Sequence, residues 1–295
     1  MQLNTQARRE AIAAYGFLSP ALFLFIIFLA GPLLASVVIS FLSWSLLGPP
    51  SFSGLDNYRQ LISDEVLWRS LRNTFVFSFW SVVLHIVFGL LLAVGINSRI
   101  PKTLSYSLKI AYVFPFLLSW SAVSLLWNYV LDPNFGIFNY YLELVGFSPP
   151  NWLVSEHALS ALIGVDFWKT LGYTFIILLA GLQTIPRHLY EAAQIDGANS
   201  LKQFVYITLP MLSPTLFFAF VITFIGAFQI FDPMYIMTKG GPGDRTRSIV
   251  QYLYEVGFQR FEMGYAATLS LVVFFVIMLA TAIQFRLSRR WVHYE

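Results

Sequence analysis

Few side chains in this chain could do chemistry, and most of them stand inside apolar runs. Asp166 and Lys169 are three residues apart, which on a helix places them on one face. Trp168 stands between them and Tyr173 follows, and Gln229, Asp232 and Tyr235 close a later apolar run. Hydrogen-bonding groups beside aromatic faces could line a path for a polar solute. The plainer alternatives are an Asp166–Lys169 pair that neutralises itself at a membrane interface, and a Trp168 that anchors there. His85 is the only ionisable residue within 75–97, where an imidazole either serves function or bonds two packed helices together. Nucleotide chemistry is excluded in its commonest form: none of the five lysines follows a glycine, so no G-x-x-x-x-G-K-[ST] loop exists. H-E-x-x-H is also absent and the four histidines are dispersed. With no cysteine there are no disulfides, thiolate metal sites or thiol nucleophiles.

Gly241-Pro242-Gly243-Asp244 matches the G-x-G-D signature of intramembrane aspartyl proteases. That chemistry needs a second aspartate in a neighbouring span. Here the motif lies in the polar segment 239–247 and no Tyr-Asp partner is found.

The stretch with the most specific spacing is Glu191-Ala192-Ala193-Gln194-Ile195-Asp196-Gly197, followed by Ile207-Thr208-Leu209-Pro210. It reads as two helices joined at a glycine. Pro186 suits a first helical turn, and Gly197 suits the left-handed position that closes a helix. Ser200 with Gln203 reads as a capping box opening the second helix. A helix of about ten residues is unstable alone in water, so something must pack on it. Ala192 and Ala193 leave one side shallow enough to enter another protein's groove.

With Glu191, Ala192, Ala193, Asp196, Gly197, Leu209 and Pro210 in register, the chain resembles the permease subunits of binding-protein-dependent ABC importers. The resemblance is to the sugar-importer branch, which includes the maltose, lactose, trehalose and glycerol-phosphate systems. It covers nearly the whole chain and is most specific over 180–210 and 240–258. It implies that 191–198 form a coupling helix docking on a cytoplasmic ATPase, with Glu191 meeting a basic partner group. It further implies a second permease, two ATPase subunits, an extracytoplasmic solute-binding protein and a sugar-type substrate. ATP and magnesium would be bound by the partner ATPase, leaving no cofactor and no metal in this chain. Gly240-Gly241-Pro242-Gly243 resembles the outer-loop motif that such permeases carry after the fifth span, with 248–258 as an outer helix shaping the docking surface for the binding protein. The large extra outer domain and added spans of the maltose version are missing.

Of the 295 residues, 57% are hydrophobic and only 11% charged. Soluble domains carry about 25% charged residues, so this chain belongs in membrane lipid. A net charge of +3, scattered along the chain, gives no nucleic-acid surface. Six runs are long enough to span, at about 15–41, 75–97, 110–131, 158–182, 209–231 and 263–285. The first carries Gly31-Pro32, which predicts a kink, and the third bends near Pro115. A short amphipathic helix is expected around 55–67, and the coupling loop occupies 183–208. The expected architecture is therefore an all-α membrane protein, one permease domain of six transmembrane helices with a cytoplasmic coupling helix.

Orientation follows from lysine and arginine in short loops. With both termini inside, ten basic residues, Arg99 and Lys102 among them, fall on the inner side and seven on the outer. The loop 132–157 carries three acids and no lysine or arginine, which places it outside and the coupling loop inside. The resemblance implies a prokaryotic inner (plasma) membrane. The transport alternative is a secondary carrier coupled to an ion gradient, which commonly shows internal repeats; none is evident here.

Overall fold

In the computed structural model, residues 2–97 and 101–292 are described, with side chains from Ala7 onward. Arg99 of the predicted inner turn lies outside them. Contacts divide the chain into two compact units.

The smaller unit comprises residues up to Ser63 together with Leu253–Val273. Its first helix, α1 (Ala7–Ile39), is long and apolar enough to span, and none of its apolar window is buried. Pro32 has no N–H to give, so the helix widens just before it. Ile26–Ala30 form a π-turn in which the Gly31 N–H reaches the Ile26 carbonyl. The expected kink is thus a local widening. A two-residue hairpin follows, β1 (Leu42–Ser43) against β2 (Ser51–Phe52), with Leu42 opposite Phe52. Helix α2 (Asp56–Ser63) returns toward the end of α1. There Asn57 Nδ2 donates to the carbonyls of Ser40 and Leu42 at 2.8 and 2.9 Å.

The larger unit comprises Asp64–Tyr252 together with residues from Phe274 onward. It contains α3 (Glu65–Asn97), α4 (Lys102–Leu117), α5 (Trp120–Val130), α6 (Ile137–Leu144), α7 (Ala158–Thr184), α8 (Arg187–Ile195) and α9 (Ser200–Phe228). Short α10 begins at Ile249, and α11 (Met263–Ser288) contributes its part beyond Val273. Two sequence boundaries need correction. The amphipathic helix expected at 55–67 ends at Ser63, and the helix of the second span starts at Glu65, well before 75. The third span is not one bent helix. It breaks at Leu118–Ser119 into α4 and α5, turned by 102°, while Pro115 stays inside α4.

Helix α7 is the centre of this unit, packed against α3, α4 and α9. Its Phe175, Leu178, Leu179 and Leu182 share one apolar cluster with Ala93, Ile96, Leu212 and Ala219. Lipid is as apolar as leucine, so close association depends on small residues that let backbones approach. Gly172 of α7 lies against the Tyr112 carbonyl of α4, where a Cβ would collide with backbone. Gly181 lies against α9, where a Cβ would meet the side chains of Thr215 and Leu212.

Candidate functional site

Three constellations carry the residues singled out above. The first is α8. Pro186 precedes it in extended conformation (ψ 131°) and acts as its N-cap, one position before the helix and not within its first turn. The end of α8 is closed by a paired backbone motif: Gly197 N–H donates to the Gln194 carbonyl at 3.1 Å and Ala198 N–H to the Ala193 carbonyl at 2.8 Å. This closure needs a left-handed residue at the turn, and Gly197 has φ +75°. The capping box expected at Ser200 is displaced by one residue. Asn199 is the N-cap of the next helix, its Oδ1 accepting the Lys202 N–H at 2.9 Å, while Gln203 turns to the Ala198 carbonyl. Leu189 and Tyr190 pack toward the apolar cluster at the foot of α9, and the Tyr190 hydroxyl meets the Thr208 hydroxyl at 3.0 Å. Glu191, Ala192, Asp196 and Gly197 are exposed, as is Ile195 at 88%, and Ala193 is half-buried. Leu209 and Pro210, both half-buried, open the straight part of α9 just past a π-turn at Phe204–Thr208. The result is a short helix held along one side and open along the other.

The second constellation surrounds Asp166 and Lys169, each only 4% exposed. They make no direct ion pair or hydrogen bond with one another, although the Asp166 charge still acts on the Lys169 ammonium. Asp166 turns to α3, where Ser81 Oγ donates to its Oδ2 at 2.5 Å. His85 completes the bridge. Its Nδ1 lies 2.6 Å from the Ser81 carbonyl, which can only accept, so Nδ1 holds the proton. Its Nε2 lies 2.6 Å from Thr170 Oγ1 on α7, which also donates to the Asp166 carbonyl at 3.0 Å. His85 is thus a hydrogen bond between packed helices. Lys169 turns to the other side of α7 and donates to the Phe116 carbonyl at 3.2 Å. Its ammonium stands 4.7 Å from the Trp120 ring centre and 5.5 Å from that of Phe116, a cation–π arrangement. Trp168 meets Trp127 edge-on at 5.6 Å, and Tyr173 stacks on Phe116 at 4.9 Å. Asp232, after Asp166, is also near enough to act on the Lys169 charge. Trp168, Lys169 and Tyr173 are therefore brought together at the α4–α5 break. Gln229, itself exposed, is the C-cap of α9, and Tyr235 stacks on Phe231. Sequence reasoning missed Phe116, Trp120 and Trp127, whose signal was an aromatic cluster either side of Ser119.

The third constellation is the loop after α9. Lys239, Gly240, Gly243 and Asp244 all have positive φ, from 51° to 82°. Thr246 Oγ1 donates to the Gly241 carbonyl at 2.7 Å, and the Arg245 N–H donates to the Pro242 carbonyl at 3.0 Å. The Asp244 carboxylate is held by Arg247 and, at 3.6 Å, by Arg69 of α3. Asn73 Nδ2 donates to the Asp244 and Arg247 carbonyls at 2.6 and 3.2 Å, and the Ile249 N–H reaches Thr74 Oγ1 at 3.0 Å. Asp244 is thus a structural acid that anchors the loop to the start of α3. Asn73, Thr74 and Arg69 gave no local signal in the sequence.

The sequence model of the family described as "Binding-protein-dependent transport system inner membrane component" matches residues 85–293. The chain belongs to this family. The permease is 37% identical over 301 residues to the probable ABC transporter permease protein YesP of Bacillus subtilis, covering 100% of this chain and 96% of that one. It is 34% identical to the arabinooligosaccharides transport system permease protein AraP of the same organism, over 94% of this chain and 88% of that one. The trehalose/maltose transport system permease protein MalF of Thermococcus litoralis is 34% identical over 95% of each. Among solved structures, a chain of a bacterial ABC transporter involved in the import of the acidic polysaccharide alginate superposes with a TM-score of 0.84 at 25% identity, over 98% of this chain and 99% of that one. Membership makes the chain a multi-pass transport component and not an enzyme. The protease and secondary-carrier alternatives fall with it.

Proposed function

We propose that this permease is one of two membrane-spanning subunits of an importer for a sugar or glycoside. Two separate ATPase subunits would bind ATP and magnesium and drive it, and an extracytoplasmic solute-binding protein would supply it. The observation that carries this reading is α8: a helix fixed along one side by Leu189, Tyr190 and Thr208, closed at Gly197, with Glu191, Ala192 and Ile195 turned outward. Such a helix transmits a push as a rigid body. Closure of the ATPases would move it, and α9 would carry that motion into the spans and switch access from the inner to the outer side. Glu191 is the contact to a basic group of the ATPase. The termini and α8 face the cytoplasm of a prokaryotic cell, and the anchored loop 240–247 faces outward toward the binding protein.

The solutes named for the relatives, arabino-oligosaccharides, trehalose or maltose, and alginate, share hydroxyls and apolar ring faces. Trp168, Tyr173 and Asp232, with Gln229 and Tyr235, are the proposed lining of the path. Asp166 and Lys169 belong to that region too, but their hydrogen bonds are turned to the protein.

The test is affinity capture. Co-expressed with its partner permease and ATPase, the wild-type chain retains the ATPase on purification, and Glu191→Ala releases it. A wild type that captures no ATPase, with uptake abolished by a protonophore but indifferent to ATP depletion, overturns the reading.

A further inference from the structure

The last turns of α11 hold a groove that the transport reading does not use. It has a volume of about 590 Å³ and is lined by Ala282, Ile283, Phe285, Arg286, Ser288 and Arg289. Its walls are of two kinds. Ala282, Ile283 and Phe285 supply apolar surface. Arg286 and Arg289, three residues apart, place two guanidinium groups at one end of it. Phe217 of α9 backs the apolar part, edge-on to Phe285 at 5.0 Å and to Trp291 at 6.1 Å. Ser288 is buried and spends its hydroxyl on the Phe285 carbonyl, so it offers the groove nothing. Both arginines are exposed, and among the described residues neither stands in an ion pair.

An apolar wall that ends in two cations, without an ion pair among the described residues, is complementary to an amphiphilic anion. A tryptophan and arginines at the end of a span also mark the depth of the membrane–water interface. Basic recesses between helices on the cytoplasmic side suit lipid headgroups, because phosphate takes parallel hydrogen bonds from guanidinium while the chains stay in hydrocarbon. We propose that this groove binds an anionic phospholipid of the inner leaflet, its phosphate on Arg286 and Arg289 and an acyl chain along Ile283 and Phe285. The assignment of the leaflet rests on the orientation proposed above. The binding itself does not.

The experiment is native mass spectrometry of the whole importer, purified from bilayers with equal phosphatidylglycerol and phosphatidylcholine. The wild type is expected to retain phosphatidylglycerol in preference. Retention should fall about fivefold for each arginine replaced in R286Q and R289Q. R286K/R289K should keep most of it, which separates lost charge from lost fold. Each single variant stands in if the double glutamine variant does not assemble. Equal retention of the two lipids, unchanged retention in R286Q/R289Q, or displacement of the lipid by inorganic phosphate alone would each overturn the proposal. The readout is a bound mass and not uptake, so its failure is distinct from failure of the transport reading.

Discussion

Lys169 Nζ lies 3.2 Å from the Phe116 carbonyl oxygen, across the interface between α7 and α4. In an unbroken helix that carbonyl would accept the N–H four residues on, from Trp120. The chain breaks at Leu118–Ser119, so the acceptor is orphaned, and a cation at the end of α4 also meets the negative pole of the helix. Lys169 therefore fills the gap that the break creates. Lys169→Met keeps the length and apolar stem but removes the donor, leaving a part-buried carbonyl without this partner at a cost of about 1 kcal/mol. The expected result is a lower melting temperature and faster maleimide labelling of Ser119→Cys, which would be the only thiol because the chain has no cysteine of its own. Labelling at the wild-type rate in Lys169→Met would show that the break stands without it.

The bridge from α3 to α7 is built from Ser81, His85, Asp166 and Thr170, with the Asp166 carboxylate accepting from Ser81 at 2.5 Å. Removing one member of a buried polar set leaves the others short of partners, so single changes overstate the pair. Ser81→Ala and Asp166→Asn are each expected to destabilise the detergent-purified protein. The double variant should cost less than their sum, with a coupling of about 0.5–3 kcal/mol. Strict additivity in thermal unfolding would mean that the two groups do not act together.

These two relationships also mark where sequence reading stops. Helix identities and the closing glycine of α8 were legible because apolar runs, caps and turn residues are local signals. Gly197 was expected to be left-handed from its neighbours alone, and it is. The break of the third span was misplaced toward Pro115 because the partner that stabilises it, Lys169, lies on another helix. The capping box slipped by one residue because Asn199 and Ser200 are both good N-caps, and only the packing of Gln203 separates them. Asp244 read as a possible catalytic acid until Arg69, Asn73 and Arg247 closed around it. A motif names its residues but not the distant groups that neutralise them.

At the end of α8 the backbone itself sets an order of substitutions. Gly197 sits at φ +75° with open space where a Cβ would stand, so the penalty is conformational and not steric contact. A left-handed residue other than glycine costs roughly 1–2 kcal/mol, less for asparagine and more for β-branched types. Uptake at matched abundance should therefore fall in the order Gly197→Asn, Gly197→Ala, Gly197→Val. Equal activity across the three would show that the left-handed closure of α8 is dispensable.

The packing of α7 gives the sharpest contrast within one helix. A Cβ on Gly172 would run into the Tyr112 carbonyl and close on the Val113 Cα, both backbone atoms of α4, whereas nothing lies within 4 Å of a Cβ on Gly164. Backbone cannot rotate away as a side-chain tip can, so Gly172→Ala must push α4 from α7. That movement would also stretch the Lys169–Phe116 bond, because both ends ride on these two helices. Gly164→Ala, by contrast, should gain slightly from helix propensity, at about 1 kcal/mol. The expected outcome is a clear loss of melting temperature and uptake for Gly172→Ala and none for Gly164→Ala. Adding Lys169→Met to Gly172→Ala should then cost less than it does in the wild type, since the bond is already compromised. Full activity of Gly172→Ala would mean that α4 and α7 are not held at the close approach this glycine permits.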